Sequence, residues 1–314
     1  MDKILVTGGA GFIGSHVVDL LIEQEKEVIV VDNMSTGSYE NLNKDVKLEE
    51  TDITDNLGLN EVFNKHKDIN GVVHLAAQSK VGPSVEDPGT DANINIQGTI
   101  NLLELCRKNN INSFVYASSA AVYGHAEQLP ITENAATNPL SPYGVSKLAG
   151  EEYVKAYGRL YGINVFALRF ANVFGPRQSP HTEAGVISIF IEQLLQGKRP
   201  VIFGDGKQTR DFIYVKDIAE AVVNCLTNKD KPAIDNAVYN VSTCSETSVQ
   251  ELLSTLCDIT VAENKQQFEE ERPGDIKYSY LDNSRLSADF NWKPGVSLKD
   301  GLEQTVKYYN NKKK

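Results

Sequence analysis

The chain opens on a short apolar run, Lys3 to Thr7, that passes at once into Gly8-Gly9-Ala10-Gly11-Phe12-Ile13-Gly14 and then into an amphipathic pattern reaching about Gln24. Strand, glycine turn and helix in immediate succession leave few folds open. The glycines let the backbone turn tightly and let an anionic group approach the N–H groups at the helix N-terminus, where the helix dipole favours negative charge. A glycine triplet alone is weak, but these neighbours supply the context of a dinucleotide-binding turn.

Glu27 to Val31 reads as a second strand that ends in Asp32, 18 residues after Gly14. A carboxylate near that spacing binds the hydroxyls of an adenosine ribose. Asp32 would repel a 2′-phosphate, and Asn33 carries no positive charge to offset it, so the pattern favours NAD over NADP.

Alternation continues. A strand is expected near Val46–Glu50 with Asp52-Ile53 behind it, a helix over Asn60–Lys67, and a strand over Gly71–Leu75. Ala76-Ala77 follow, small enough for backbone to lie close to a bound cofactor. Helical periodicity runs over Asp91–Lys108 and another strand over Ser113–Ser118. Repeated βα units predict an α/β fold, a Rossmann-type doubly wound parallel sheet with ligands at the strands' carboxyl ends. With 314 residues the chain has room for a large single domain or two.

Ser118-Ser119-Ala120-Ala121-Val122-Tyr123-Gly124 ends the fifth strand. Serines there either meet a substrate or satisfy loop backbone. Further on, Ser141-Pro142-Tyr143-Gly144-Val145-Ser146-Lys147 reads as a helix start, with Ser141 as cap and Pro142 at the first helical position. Tyr143 and Lys147 then fall four apart on one face. A nearby ammonium lowers the pKa of a phenol, whose ordinary value is about 10. Tyr-x-x-x-Lys is common by chance, so the spacing gains weight only beside the glycine turn and the serine pair.

Together, Thr7 to Gly14, the serine pair before Ala-Ala-Val-Tyr-Gly, and Tyr143-x-x-x-Lys147 resemble the extended short-chain dehydrogenase/reductase superfamily. Within it the chain is most similar to the UDP-glucose (UDP-galactose) 4-epimerases, along nearly its whole length. The resemblance implies that Ser119, Tyr143 and Lys147 are catalytic. It implies that NAD is held by Gly8, Gly11, Phe12, Ile13, Gly14, Asp32, Asn33, Asp52, Ile53, Leu75, Ala76, Ala77, Asn95, Tyr143, Lys147 and Phe170.

For the UDP-sugar it implies Ser79, Lys80, Ser119, Tyr143, Asn172, Val186, Val201, Phe203, Arg210, Arg272, Asp275 and Ser279. Arg210 and Arg272 would take the phosphates, Phe203 the uracil region, Asn172 the diphosphate and sugar, and Asp275 a ribose. The resemblance also implies a smaller α/β substrate-binding C-terminal domain, with the division at 1–171 and 172–314 and the chain crossing between the two. Ser279 would border the sugar's 2-position, where a small residue leaves room for an N-acetyl group. Lys80 stands where a small polar residue is expected.

The implied reaction is removal of the 4-hydroxyl proton by Tyr143 while hydride passes from C4 to NAD, rotation of the 4-keto sugar, and return of hydride to its other face. Lys147 would lower the Tyr143 pKa, and NAD would stay bound. A 4,6-dehydratase of the same superfamily would carry an Asp-Glu pair where Ala120 and Ala121 stand. An epimerase for UDP-N-acetylhexosamine or UDP-glucuronate, a UDP-glucuronate decarboxylase and a non-catalytic NAD-binding regulator are the other readings.

A net charge of −11 argues against a nucleic-acid partner. Cys106, Cys225, Cys244 and Cys257 show no CxxC spacing, and the five histidines form no metal pattern, so reduced thiols, no metal and a cytoplasmic home are expected. Neither a signal peptide nor a membrane span is expected. Gly185–Gln196, Ser284–Phe290 and Leu298–Asn310 read as helices, Asn164–Phe170 and Val238–Val241 as strands. The resemblance implies a homodimer pairing the helices near Asp91–Lys108 and Ser141–Tyr161.

Overall fold

A computed structural model of the chain describes residues 2–44, 46–181, 185–228, 237–271 and 276–312. The chain divides into two compact units, one made of Met1–Gly124, Thr137–Phe170 and Ala219–Tyr239, the other of His125–Ala136, Ala171–Ile218 and Asn240–Lys314.

In the first unit the strands are β1 (Lys3–Thr7), β2 (Glu27–Asp32), β3 (Lys47–Glu50), β4 (Ile69–His74), β5 (Ser113–Ser119) and β6 (Asn164–Phe170). With the strand Val238–Val241 they form a seven-stranded sheet. Its order is Val238–Val241, β6, β5, β4, β1, β2, β3. β1 pairs in parallel with both β2 and β4, and β4–β5, β5–β6 and β2–β3 are parallel too. The chain winds one way from β1 to β3 and the other way from β4 to β6. That reversal opens a crevice at the carboxyl ends of β1 and β4, the doubly wound arrangement expected.

The inner strands are near-continuous apolar runs because both sheet faces are covered. Leu5, Ile29, Val72 and Phe114 are all fully buried in one core. Helices of this unit include α1 (Phe12–Glu23), α2 (Asn56–Lys65), α3 (Val81–Glu86), α4 (Pro88–Ala92), α5 (Gly98–Lys108) and α6 (Pro142–Tyr161).

Local chemistry moves some boundaries. The helix expected at Asn60–Lys67 begins at Asn56, because the Asp55 carboxylate accepts from the N–H groups of Leu57 and Gly58, both at 3.1 Å. The helix expected at Asp91 starts at Pro88, where the Asp87 carboxylate accepts from Thr90 N–H at 3.0 Å and Pro88 fills the first turn. Between α4 and α5 lies one π turn, Asn93–Gln97. The strand expected at Gly71–Leu75 runs instead from Ile69 to His74.

In the second unit, Asn172–Phe174 pairs in parallel with Phe212–Tyr214, and Val201–Phe203 with Gln267–Glu269. Thr209–Arg210 lies between Thr247–Ser248 and Tyr278–Ser279. The helices Val186–Leu195, Val249–Thr260 and Leu298–Lys312 contribute to a core built around Phe174, Phe190, Ile191, Leu252, Leu256 and Leu302. Val249–Thr260 was not among the expected elements. A reciprocal Ser248–Glu251 capping box starts it. Among the described residues no helix is long and apolar enough to cross a membrane.

Candidate active site

The glycine turn is shaped by close approach. Gly8 has φ +69°, and a Cβ there would sit 2.7 Å from the Ala76 backbone nitrogen. A Cβ on Gly14 would lie 2.1 Å from the Gly8 carbonyl oxygen. α1 therefore rests directly on the turn, and no side chain caps its N-terminus at Gly11.

Asp32, at the end of β2, is tied into the same turn. Its Oδ2 accepts from Ala10 N–H at 3.0 Å and its Oδ1 from Met34 N–H at 2.9 Å. Burial pushes the Asp32 carboxyl above its ordinary range, against the pull of those two N–H groups. Asp52 accepts from Asn33 Nδ2 at 2.7 Å and from Thr54 N–H at 2.8 Å. Burial pushes its carboxyl up, but the hydrogen bonds from Thr54 and Asn33 outweigh this and hold it below the ordinary range.

A cradle that any Cβ would fill, an uncapped helix N-terminus and a carboxylate at the end of β2 fit a dinucleotide. Ala76 and Ala77 at the end of β4 are half-buried, and Ala76 N–H donates to Thr7 Oγ1 at 3.3 Å. Leu75 N–H bonds Thr7 O at 3.2 Å. Ile13 is half-buried, whereas Phe12, Ile53 and Phe170 are buried. The Ile53 side chain packs into the core and fills the space that a Cβ on Gly98 would need.

Asn95, expected at the cofactor, has its side-chain amide engaged within the protein. It is buried in the π turn, where its Nδ2 bonds Gln78 O, Asp91 Oδ1 and Ser146 Oγ and its Oδ1 accepts from Gln78 N–H. Its amide is consumed inside the protein, fixing the loop after β4. Within that loop the Gln78 side chain grips the backbone N–H and C=O of Lys80, at 2.6 and 2.8 Å. Ser79 is exposed and Lys80 half-buried.

The expected catalytic trio stands at the end of β5 and the start of α6. Ser141 caps α6, accepting from Gly144 N–H at 3.2 Å. Ser119 Oγ accepts from Ala121 N–H at 3.2 Å and hydrogen-bonds the Tyr143 phenol. Gly150 lets α6 lie against β5, since a Cβ there would meet the Tyr116 hydroxyl at 2.2 Å.

Lys147 is buried, donates to Ala117 O at 2.8 Å and sits 5.1 Å from the Tyr116 ring centroid. Burial brings its pKa down to about 8, with Asp91 and Glu151 pushing back up. Tyr143 does not follow the expected direction. Burial raises its pKa, the Ser119 hydrogen bond lowers it, and the Asp91 charge raises it further. The Lys147 ammonium here serves Ala117 and the Tyr116 face rather than the Tyr143 oxygen.

The sequence reading missed buried Glu151, its partner Arg169 and the carboxylate of Asp91. Glu151 is fully buried and bidentate with Arg169, at 2.9 Å to Nε and 2.7 Å to Nη2, and also accepts from Ser118 Oγ. Its signal was available: Tyr143, Lys147 and Glu151 follow at i, i+4 and i+8 on one helix face. Asp91 had no such signal.

In the second unit, Arg210 and Ser279 are register partners on adjacent strands, both half-buried, and Arg210 Nη1 donates to Thr209 O at 2.8 Å. The intervening Asp211 is buried. It accepts from Thr243 N–H at 2.9 Å and Thr243 Oγ1 at 2.7 Å, stapling these loops together. Phe203, Val201 and Val186 are half-buried and Asn172 is exposed. Arg272 and Asp275 lie outside the described residues. Among the described residues no group of three His, Cys, Asp or Glu side chains could hold a metal ion.

A doubly wound sheet with a glycine cradle and a Ser–Tyr–Lys cluster at its carboxyl edge defines a nucleotide-dependent enzyme of the short-chain dehydrogenase type. Residues 4–242 match the family model described as the NAD dependent epimerase/dehydratase family, and the chain belongs to that family.

Solved structures sharpen the comparison. A UDP-glucose 4-epimerase of Thermotoga maritima, crystallised with UDP-glucose, is 41% identical with a TM-score of 0.95, over 99% of this chain and 100% of that one. A UDP-N-acetylglucosamine 4-epimerase of Methanobrevibacter ruminantium, in complex with UDP-N-acetylmuramic acid, is 38% identical with a TM-score of 0.92, over 99% of both chains. A Thermus thermophilus UDP-glucose 4-epimerase in complex with NAD is 38% identical with a TM-score of 0.91, over 98% of this chain and 99% of that one.

Proposed function

We propose that this chain is an NAD-dependent 4-epimerase of UDP-hexoses, interconverting UDP-glucose and UDP-galactose through a 4-keto intermediate. The observation that carries the reading is the Ser119–Tyr143 hydrogen bond beside buried Lys147, with Ala120 and Ala121 next to it. Alanines cannot move a proton, so the site has a base for one sugar hydroxyl and no second acid/base pair for loss of water. That favours the epimerase over the dehydratase side of the family.

Bound NAD supplies hydride acceptance and return at the sugar C4. Tyr143, as phenolate, takes the 4-hydroxyl proton and later returns it, so no proton is consumed. Ser119 shares its hydroxyl with the same oxygen and steadies the developing charge. Lys147 would bond the nicotinamide ribose and draw the Tyr143 pKa down. Residues of the first unit from Gly8 to Gly14, with Asp32 and Asp52, would hold the dinucleotide.

Asn172, Phe203 and Arg210 of the second unit, with Arg272 and Asp275, take the uridine diphosphate, where charge-assisted bonds give the firmest hold. Binding concentrated in that end leaves the sugar free to turn over. The small side chain of Ser279 leaves room for a 2-acetamido group, so UDP-N-acetylhexosamines are accepted too.

Exposed apolar residues on α6, among them Val145, Tyr153 and Leu160, support a homodimer through that helix. Four free thiols accord with a reducing, cytoplasmic setting.

The test gives purified protein, without added NAD, UDP-galactose and UDP-N-acetylgalactosamine in separate tubes, and resolves products by anion exchange. Conversion of both is expected. Tyr143→Phe should lose turnover by orders of magnitude while keeping NAD bound. Full activity in that variant would overturn the assignment.

A further inference from the structure

Asp91 is a carboxylate with an unmet demand. It is 1% exposed, two residues before the Asn93–Gln97 π turn. Oδ1 accepts from Gln78 Nε2 at 2.8 Å and from Asn95 Nδ2 at 3.1 Å. Oδ2 is buried with no hydrogen-bond partner. A buried polar atom left unpaired is costly, and native structures keep few of them.

The residue is also wired to the catalytic helix. Asn95 Nδ2 donates to Ser146 Oγ at 3.0 Å, and Ser146 Oγ donates to the Tyr143 carbonyl at 3.0 Å. Two side chains thus join Asp91 to the backbone of Tyr143, and Ser146 directly precedes Lys147.

We propose that Asp91 is a positioning residue of this reaction, the fixed counter-charge to the Lys147 ammonium and the anchor, through Asn95 and Ser146, of the helical turn that carries Tyr143. The proposal rests on the epimerase reading above.

The other groups around Lys147 do not replace it. On α6, Glu151 is already paired with Arg169 of β6 and with Ser118. Tyr116 of β5 offers its ring face and hydroxyl, and burial raises its pKa well above the ordinary value. His74 of β4 is held neutral, its pKa brought down to about 3 by burial and by the Lys147 charge. Tyr143 is the base itself.

The signs are distinctive. The Asp91 charge raises both Lys147 and Tyr143. Removing it should lower both, so the two limbs of the bell-shaped kcat/KM profile move together toward acid. The experiment is that profile for Asp91→Asn and Asp91→Glu, with an ultraviolet difference titration of the phenolate in the NAD-loaded protein against Tyr143→Phe.

Asp91→Asn should shift both limbs and the phenolate midpoint down by on the order of half a pH unit or more, whereas Asp91→Glu, which keeps the charge, should hold them. If Asp91→Asn does not fold, Asp91→Ser carries the same test. Limbs and midpoint that stay in place, or move toward alkali, in a folded neutral variant would overturn the proposal. The phenolate titration needs no turnover, so an inactive parent protein would defeat the epimerase reading while leaving this test intact.

Discussion

Glu151→Gln is the substitution whose cost the structure fixes most closely. Glu151 is 0% exposed and Arg169 4% exposed, and they share two hydrogen bonds at 2.9 and 2.7 Å. Glutamine keeps the shape and one acceptor. It also sets an amide N–H against the guanidinium where Oε2 had accepted, and removes the carboxylate charge that faces buried Arg169. Breaking a buried pair from one side costs about 3–5 kcal/mol.

The retained acceptor places this variant near the lower end, about 3 kcal/mol. At roughly 2–4 °C per kcal/mol the unfolding midpoint should fall by about 6–12 °C. The assay is calorimetry or circular dichroism on the parent, Glu151→Gln, Arg169→Met and the double variant. Because removal of that carboxylate charge causes the loss, removing the Arg169 charge as well should restore more than half of it. A single-variant loss below about 1 kcal/mol, or a double variant that loses the sum of the singles, would refute the reasoning.

Two further outcomes follow from the first unit. Gly14→Ala places a methyl 2.1 Å from the Gly8 carbonyl oxygen and 2.8 Å from Gly9 Cα, both backbone, so the turn must open. NAD recovered from the purified variant should fall at least tenfold, and a full complement would contradict the cradle. His74 lies between Thr7 Oγ1 and Thr99 Oγ1, at 2.8 and 3.0 Å, with its pKa brought down from 6.5 to about 3. The unfolded chain binds that proton first, so stability should be lost as pH falls from about 6.5 toward about 3. His74→Gln should flatten that slope in acid denaturation, and an unchanged slope would assign it to other groups.

Much of the first unit was legible because its elements are set by local rules. β1, β6 and the strand Val238–Val241 run between the residues that their apolar patterns marked. α6 starts where Ser141 and Pro142 said it would. α2 was misplaced because Asp55 caps a first turn containing Gly58, a weak helix former. The S-x-x-E box at Ser248–Glu251 was readable and overlooked.

The site was less legible where burial decides. Spacing alone put Lys147 beside Tyr143, but not the Ala117 carbonyl that engages it. Asn95 was marked as a cofactor contact, but the sequence could not show the four hydrogen bonds its amide makes within the protein. Glu151 was readable from its i, i+4, i+8 spacing with Tyr143 and Lys147, whereas only the folded packing makes Asp91 a charge that acts on Lys147.

The most direct measurement runs the reaction with UDP-galactose in heavy water and reads C4 of the UDP-glucose product by NMR. The account predicts protium at C4, because the hydrogen lifted from that carbon returns to it without meeting solvent. Deuterium at C4 would mean that a carbon acid is exchanged with water, and would contradict the roles given to Ser119, Tyr143 and Lys147.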